Sequence, residues 1–318
     1  MANPILNAPH FHSEKAAFAH VEALLWPNGP VCPHCKAGAD KIGRLEGMRS
    51  KPSKKHPEGV ERHGLRKCYA CGRAFTVRVG SIFEDSHLPL HLWLQAIHLL
   101  TSSKKGISTR HIQRLLNCSM KTAWFLTHRI REIMKPDTVD GVPPLGGHGV
   151  VLEADEVHLG AKAGRKKWRK PVQKQIVMSL VERGGEARSV QIPTVRAATL
   201  RHVLFTQTKR GTKLMTDEAN IYGDMPEHFA SHGRVAHGYG EYVRGENHTN
   251  SVEGFFSILR RGMYGTYQHV SEAHLHRYLA EFDYRYTNRE KVGIDDKARA
   301  SIAVMNAKGR RLTYETTR

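Results

Sequence analysis

No uncharged apolar run in this chain of 318 residues approaches the roughly 20 residues that a membrane span needs. No membrane partner is therefore expected. The opening MANPILNAPHFHSEK lacks the basic start and apolar core of a secretion signal, which points to a cytoplasmic protein. Acids are scarce, with 30 Asp+Glu against 49 Lys+Arg and a net charge of +19. Cysteines are also few: five, in a chain read as cytoplasmic, do not suggest a disulfide framework. No internal repeat is present. Apolar residues make up 40%, so at this length the chain is globular, with room for more than one domain.

A strongly basic balance implies a polyanionic partner, most often nucleic acid. Basicity alone does not separate DNA from RNA or from anionic lipid. Four of the cysteines form two pairs, Cys32-Pro-His-Cys35 and Cys68-Tyr-Ala-Cys71. Each pair puts two thiolates on one turn, and two such turns complete a tetrahedral zinc site. Zinc can supply on the order of 10–16 kcal/mol, enough to fold a small module with little core. The gap between the pairs exceeds the common ribbon spacing, and its excess falls on the Lys-rich stretch RSKPSKKHPEG, read as a mobile loop. His34 is a bystander, since four cysteines already close the site. Cys118 is read as a packed, inert thiol.

Residues 13–25 read as a helix with Ser13 as N-cap, stopped by Trp26-Pro27. Residues 87–134 carry three helical segments, the second opened by Ser108 and the third by Ser119. The last two resemble a helix-turn-helix, with an ordinary three-helix packing unit as the alternative. The Pro/Gly-rich DTVDGVPPLGGH marks a domain boundary. Beyond it the pattern turns to strands: GVVLEADEVHLG, then two runs flanking Gly184-Gly185 as a hairpin, a helix, and the short strand TKLMTD. An irregular stretch over 222–250 leads to helices near 251–262 and 271–288. This order suits a mixed sheet flanked by helices.

Three carboxylates stand out in so basic a chain: Asp155, Asp217 and Glu253. Phosphodiester chemistry needs an oxygen made nucleophilic and charge on the leaving oxygen neutralised, and two divalent metals do both. Mg²⁺ or Mn²⁺ requires carboxylate ligands. On the first strand Glu153, Asp155 and Glu156 all compete for the role. Glu253 also fits a capping box opened by Asn250. Arg260 lies two helical turns beyond Glu253 on the same face, where a cation would lie beside the scissile phosphate.

At these residues the chain resembles the bacterial insertion-sequence transposases of the DDE class with an N-terminal zinc ribbon, the insertion sequence fifteen-ninety-five type. The matching segments are CPHC and CYAC, EADEVHLG, LMTDEANIY, and the long run from GEYVRGENHTNSVEGFFSILRRG to RYTNR; the resemblance covers residues from about 17 to 290. The resemblance implies an α/β chain whose RNase H-like mixed-sheet catalytic domain is preceded by a zinc ribbon and a helix-turn-helix-like region. The expected division is an N-terminal helix over 1–30, a ribbon over 31–80, a helical DNA-binding region over 81–136, the catalytic domain over 147–290 and a tail over 291–318. The resemblance selects Asp155 and Asp217 as metal ligands. At the third position relatives vary, and Glu253 is preferred to Asn250 because Asn is a poor ligand for a hard dication. Relatives commonly carry Lys where this chain has Arg260.

The activity implied is metal-dependent cleavage at element ends and strand transfer into target DNA. Its cofactors are structural Zn²⁺ and two catalytic Mg²⁺ or Mn²⁺. Its partner is double-stranded DNA, engaged by a homodimer or larger assembly at the nucleoid. The alternatives are an RNase H-like nuclease without strand transfer and a catalytically inactive zinc-ribbon regulator. Expected DNA contacts are Lys121, Thr122 and Arg129 in the third helix. Arg165, Lys166, Lys167, Trp168, Arg169 and Lys170 are expected to add contacts from the loop after the first strand.

Overall fold

The computed structural model describes residues 4–54, 56–136, 141–160, 175–217, 228–235 and 248–313. The chain divides into two compact units. One holds Met1–Ser102, Thr109–Ile133 and Asp296–Arg318; the other holds Ser103–Ser108 and Met134–Asp295.

The first unit starts with α1 (Glu14–Leu25), whose Ser13 N-cap hydroxyl accepts from the Ala16 amide at 3.4 Å. A three-stranded antiparallel sheet follows, β1 (Ile42–Arg44), β2 (Arg66–Cys68) and β3 (Ala74–Phe75), in the order β1-β2-β3. Arg66 on β2 pairs with the largely buried Glu22 of α1 at 2.6 Å and lies over the Trp26 ring. Between β1 and β2 the Lys-rich stretch is not an irregular loop. It is a two-stranded arm, laddered by Leu45 N to Leu65 O, Arg62 N to Met48 O, Ser50 N to Val60 O and paired bonds between Ser53 and His56. Gly59 makes the arm's kink at φ +71°, where a Cβ would lie 2.2 Å from the Ser50 carbonyl oxygen. Pairing is possible here because the arm's polar side chains stay in water while the backbone groups satisfy each other.

Helices α2 (Leu90–Ser102), α3 (Thr109–Leu115) and α4 (Met120–Ile133) complete the expected helical stretch. Leu90, Trp93, Ile97 and Leu100 of α2 are buried, with Trp93 edge-on to Phe83 at 5.2 Å. The turn between α3 and α4 places Asn117 at φ 46°, and Ser119 caps α4 by accepting from the Thr122 amide at 3.1 Å. The expected tail contains a further helix, α8 (Asp296–Met305), packed against α1, α2 and α4. Buried Ala303 and Val304 on one side of α8 give the physical reason: an apolar stripe that needs a core.

The second unit is built on a five-stranded sheet: β4 (Val151–Leu159), β5 (Gln175–Glu182), β6 (Ala187–Ile192), β7 (Lys213–Asp217) and β8 (Ser231–Val235). The order is β6-β5-β4-β7-β8. β4-β5 and β5-β6 are antiparallel; β4-β7 and β7-β8 are parallel. Gly184, at φ +76°, turns the β5-β6 hairpin as expected. Helix α5 (Ala197–Gln207) covers one face, with Leu200 and Leu204 against Leu152, Ala154, Leu180 and Leu214. Helices α6 (Asn250–Arg261) and α7 (Glu272–Thr287) cover the other, with Val252, Phe255, Phe256 and Leu259 against Val157, Val177 and Val181. Each large apolar side chain buried in this way contributes roughly 1.5–3 kcal/mol. A π-helical segment, Gly262–Tyr267, extends α6.

Candidate active site

The two cysteine turns are near copies of each other. In the first, Cys32 N donates to Ala37 O and Lys36 N to Cys32 O; in the second, Cys68 N donates to Arg73 O and Gly72 N to Cys68 O. The residue after each pair, Lys36 or Gly72, takes a left-handed conformation, at φ 63° and 72°. The result brings all four sulfurs within 4.8 Å of one another, with Cys32–Cys71 at 3.7 Å and Cys35–Cys68 at 3.6 Å. Burial pushes the Cys32 thiol up. The amides of Cys35 and His34 and the neighbouring thiols outweigh it and bring the group down to about 7, which favours a thiolate. Soft sulfur donors in this number fit zinc. Four sulfurs would fill every coordination position of a tetrahedral zinc, which suits a structural centre. His34 stays outside it, with its Nδ1 3.5 Å from Arg73.

The acids are assembled differently. Glu153 and Asp155 share the face of β4 that α6 covers, because side chains alternate along a strand. The parallel register Val151↔Lys213 and Glu153↔Met215 continues to set Asp155 beside Asp217, at the end of β7 and on the same face. Glu253 enters from the first turn of α6. Burial, with the charges of Asp217 and Glu253, raises the Asp155 carboxyl to about 6 against the Glu156 amide and Arg260. Asp217, Glu253 and Arg260 therefore all lie close enough to act on Asp155. Mutual repulsion among carboxylates is what a divalent cation relieves, so this oxygen donor set fits Mg²⁺ or Mn²⁺. The three acids are less tightly drawn than the cysteines, which are the cluster with all ligand atoms within 4.8 Å among the described residues.

Two expectations at α6 change. Asn250 is the first residue of the helix, not its cap; Thr249 is the N-cap. Nor does Glu253 close a capping box, because it sits one position too far along. It accepts instead from the Thr249 hydroxyl at 2.9 Å, and its carboxylate is exposed.

Residues 12–74 match the transposase zinc-ribbon domain, and residues 144–287 match the ISXO2-like transposase domain. Together the matches cover more than half of the chain. The chain belongs to the DDE-class insertion-sequence transposases with an N-terminal zinc ribbon. It is also similar to an uncharacterized protein in transposable element ISH50 of Halobacterium salinarum. The two are 26% identical over 299 residues, covering 86% of this chain and 91% of the relative.

For the transposase, the structure sorts the expected DNA contacts. Lys121 and Thr122 are exposed in the first turn of α4. Arg129 is not a surface reader. It is 4% exposed, donates to the carbonyls of Ile82 and Glu84, and lies over the rings of Trp93 and Phe125. Its place on the buried side of α4 fixes that role. Arg165, Lys166, Lys167, Trp168, Arg169 and Lys170 lie outside the described residues. Among the described residues, no helix is long and apolar enough to cross a membrane.

Sequence reasoning missed the role of Glu153. It is fully buried, pairs with Arg183 at 2.6 Å and accepts from two amides of α6. The available signal was its burial: on the strand's inward face, an acid so placed needs donors on every side.

Proposed function

We propose that this transposase cuts its element's ends to free a 3′-hydroxyl and joins that end to target DNA by metal-assisted transesterification. The observation carrying this reading is the meeting of Asp155, Asp217, Glu253 and Arg260 on one face of the second unit's sheet. Strand order β6-β5-β4-β7-β8, with two antiparallel and two parallel pairings, supports an RNase H-like catalytic domain.

Asp155, Asp217 and Glu253 would hold two Mg²⁺ or Mn²⁺, which supply activation of the attacking oxygen and neutralisation of the departing one. Arg260 donates to the non-bridging oxygens of the scissile phosphate. In the cut, water attacks phosphorus and the 3′-oxygen leaves with a proton, giving a 3′-hydroxyl and a 5′-phosphate. In the joining step that 3′-oxygen attacks a target phosphodiester. A new 3′–5′ linkage forms, and the target's own 3′-oxygen departs as a hydroxyl. One bond forms and one breaks, so no energy source is needed.

Lys121 and Thr122, at the start of a helix that follows a tight turn, suit base reading in a major groove. The ribbon's arm adds Lys51 and Lys54 as phosphate contacts. Two or more copies on paired ends would bring both 3′-hydroxyls to one target. The test is an assay of purified protein with a duplex carrying an element end and a supercoiled target in Mg²⁺. Native protein yields joined product, and Asp155→Ala or Asp217→Ala yields none. Joined product from either variant refutes the assignment, and cut but unjoined product from native protein identifies a nuclease instead.

A further inference from the structure

Glu153 lies two residues before Asp155 on the same face of β4, with no solvent exposure. A buried carboxylate is tolerated only where donors surround it. Its Oε2 accepts from the amides of Ser251 at 2.7 Å and Val252 at 3.0 Å, in the first turn of α6. Its Oε1 accepts from Arg183 Nε at 2.6 Å, and His248 Nδ1 lies 3.4 Å away. Arg183 also donates to the His248 carbonyl at 2.8 Å, tying in the segment that leads to α6.

Helix α6 has no side-chain cap from its own N-cap residue, since the Thr249 hydroxyl is turned toward Glu253. The cap comes from the neighbouring strand. The first unit uses the same device. There Glu14 accepts from the amides of Leu90 and His91 at the start of α2, and Arg78 pairs with it at 3.0 Å. A carboxylate suits both places because it offers only acceptors, and a helix N-terminus offers only donors and partial positive charge.

At Glu153 this cap has a consequence beyond stability. It fastens β4 to α6 at one point, and the two candidate metal ligands follow at equal steps: Asp155 two residues along the strand, Glu253 two residues beyond Ser251. We propose that Glu153 is a positioning residue that sets the separation of Asp155 from Glu253 and so the metal affinity of the site. The inference rests on the reading above that these carboxylates bind divalent metal. Glu153 itself touches neither metal nor DNA. Its side-chain length should matter as well as its charge.

Two variants separate length from charge. Glu153→Asp keeps the charge opposite Arg183 but withdraws the carboxylate from the α6 amides by one methylene. Glu153→Gln keeps the length but turns an amide donor toward donors. Mn²⁺ binding to the zinc-loaded full chain, followed by electron paramagnetic resonance well below the melting temperature, is the readout. In both variants the half-saturating Mn²⁺ concentration rises about tenfold or more, as for groups that orient metal ligands, with circular dichroism and zinc content unchanged. Native Mn²⁺ affinity in either folded variant overturns the proposal, so one that folds suffices. Asp155→Asn is measured alongside. If it binds Mn²⁺ like the native chain, the metal reading itself fails; if it alone loses Mn²⁺, only the role of Glu153 does.

Discussion

The cysteine quartet draws its four sulfurs from two tight turns of nearly identical backbone, while the carboxylate trio draws one acid from each of three elements: β4, β7 and α6. The first centre is dictated locally and closes on itself, so binding of zinc there would be one event with folding. The second exists only once a sheet has formed and a helix has docked on it. It leaves Glu253 and Arg260 exposed, and its carboxylates repel one another. At the first site a bound metal would serve stability. The other holds charge in an unfavourable arrangement that a bound cation and a phosphate would use.

The sharpest way to break this contrast is to remove one ligand from each site. Cys68→Ser should give the largest structural effect. Loss of a zinc centre worth on the order of 10 kcal/mol unfolds the ribbon, seen as absent zinc by atomic absorption and loss of duplex binding. The second unit has its own core and keeps its sheet.

Asp155→Asn should do the opposite to stability. The Asp155 carboxyl titrates near 6 in the folded chain against an ordinary 3.8, so folding favours its protonated form. Metal-free native protein therefore loses stability as pH rises from about 4 to about 6, and the deficit persists above that. Without metal, Asp155→Asn should melt a few degrees above the native chain at pH 8 and level with it at pH 4. Thermal scans at both pH values, repeated with saturating Mn²⁺, check this. Native protein should recover in the metal and the variant should not. The smallest effect is expected at Asn250, which begins α6 but is not among the charged groups acting on Asp155. Asn250→Ala should leave the cleavage rate within severalfold of native, while Glu253→Ala lowers it on the order of a thousandfold, as for loss of a group that holds transition-state charge. Equal losses would make Asn250 the third ligand.

The same contrast explains what the residues alone disclose. Local patterns were legible: Ser13 and Ser119 as caps, the Gly184 turn, the Cys pairs, and Asp155 and Asp217 at strand positions. Distant partners were not. β8 reads Ser-His-Gly-Arg-Val, with no apolar alternation, and is a strand because β7 offers it a parallel edge. Helix α8 carries Ala, Ile and Val at helical spacing, but its core lies on helices far earlier in the chain. Arg129 looks like any helical surface cation until Trp93 and two carbonyls enclose it. Glu153 takes the helix-capping role that the local motif offered to Glu253 for the same reason: the cap of α6 comes from β4, which no local capping motif can express.

The central claim is that residues far apart in the chain form one divalent-metal site, separate from the cysteine centre. Iron-directed scission tests it most directly: Fe²⁺ replaces Mg²⁺ in zinc-loaded protein, and ascorbate and peroxide then cut the backbone near the bound iron. The account predicts three cuts, near 155, 217 and 253, all suppressed by excess Mg²⁺ and absent in Asp155→Asn. Cuts confined to the cysteine turns, or unchanged in that variant, would contradict it.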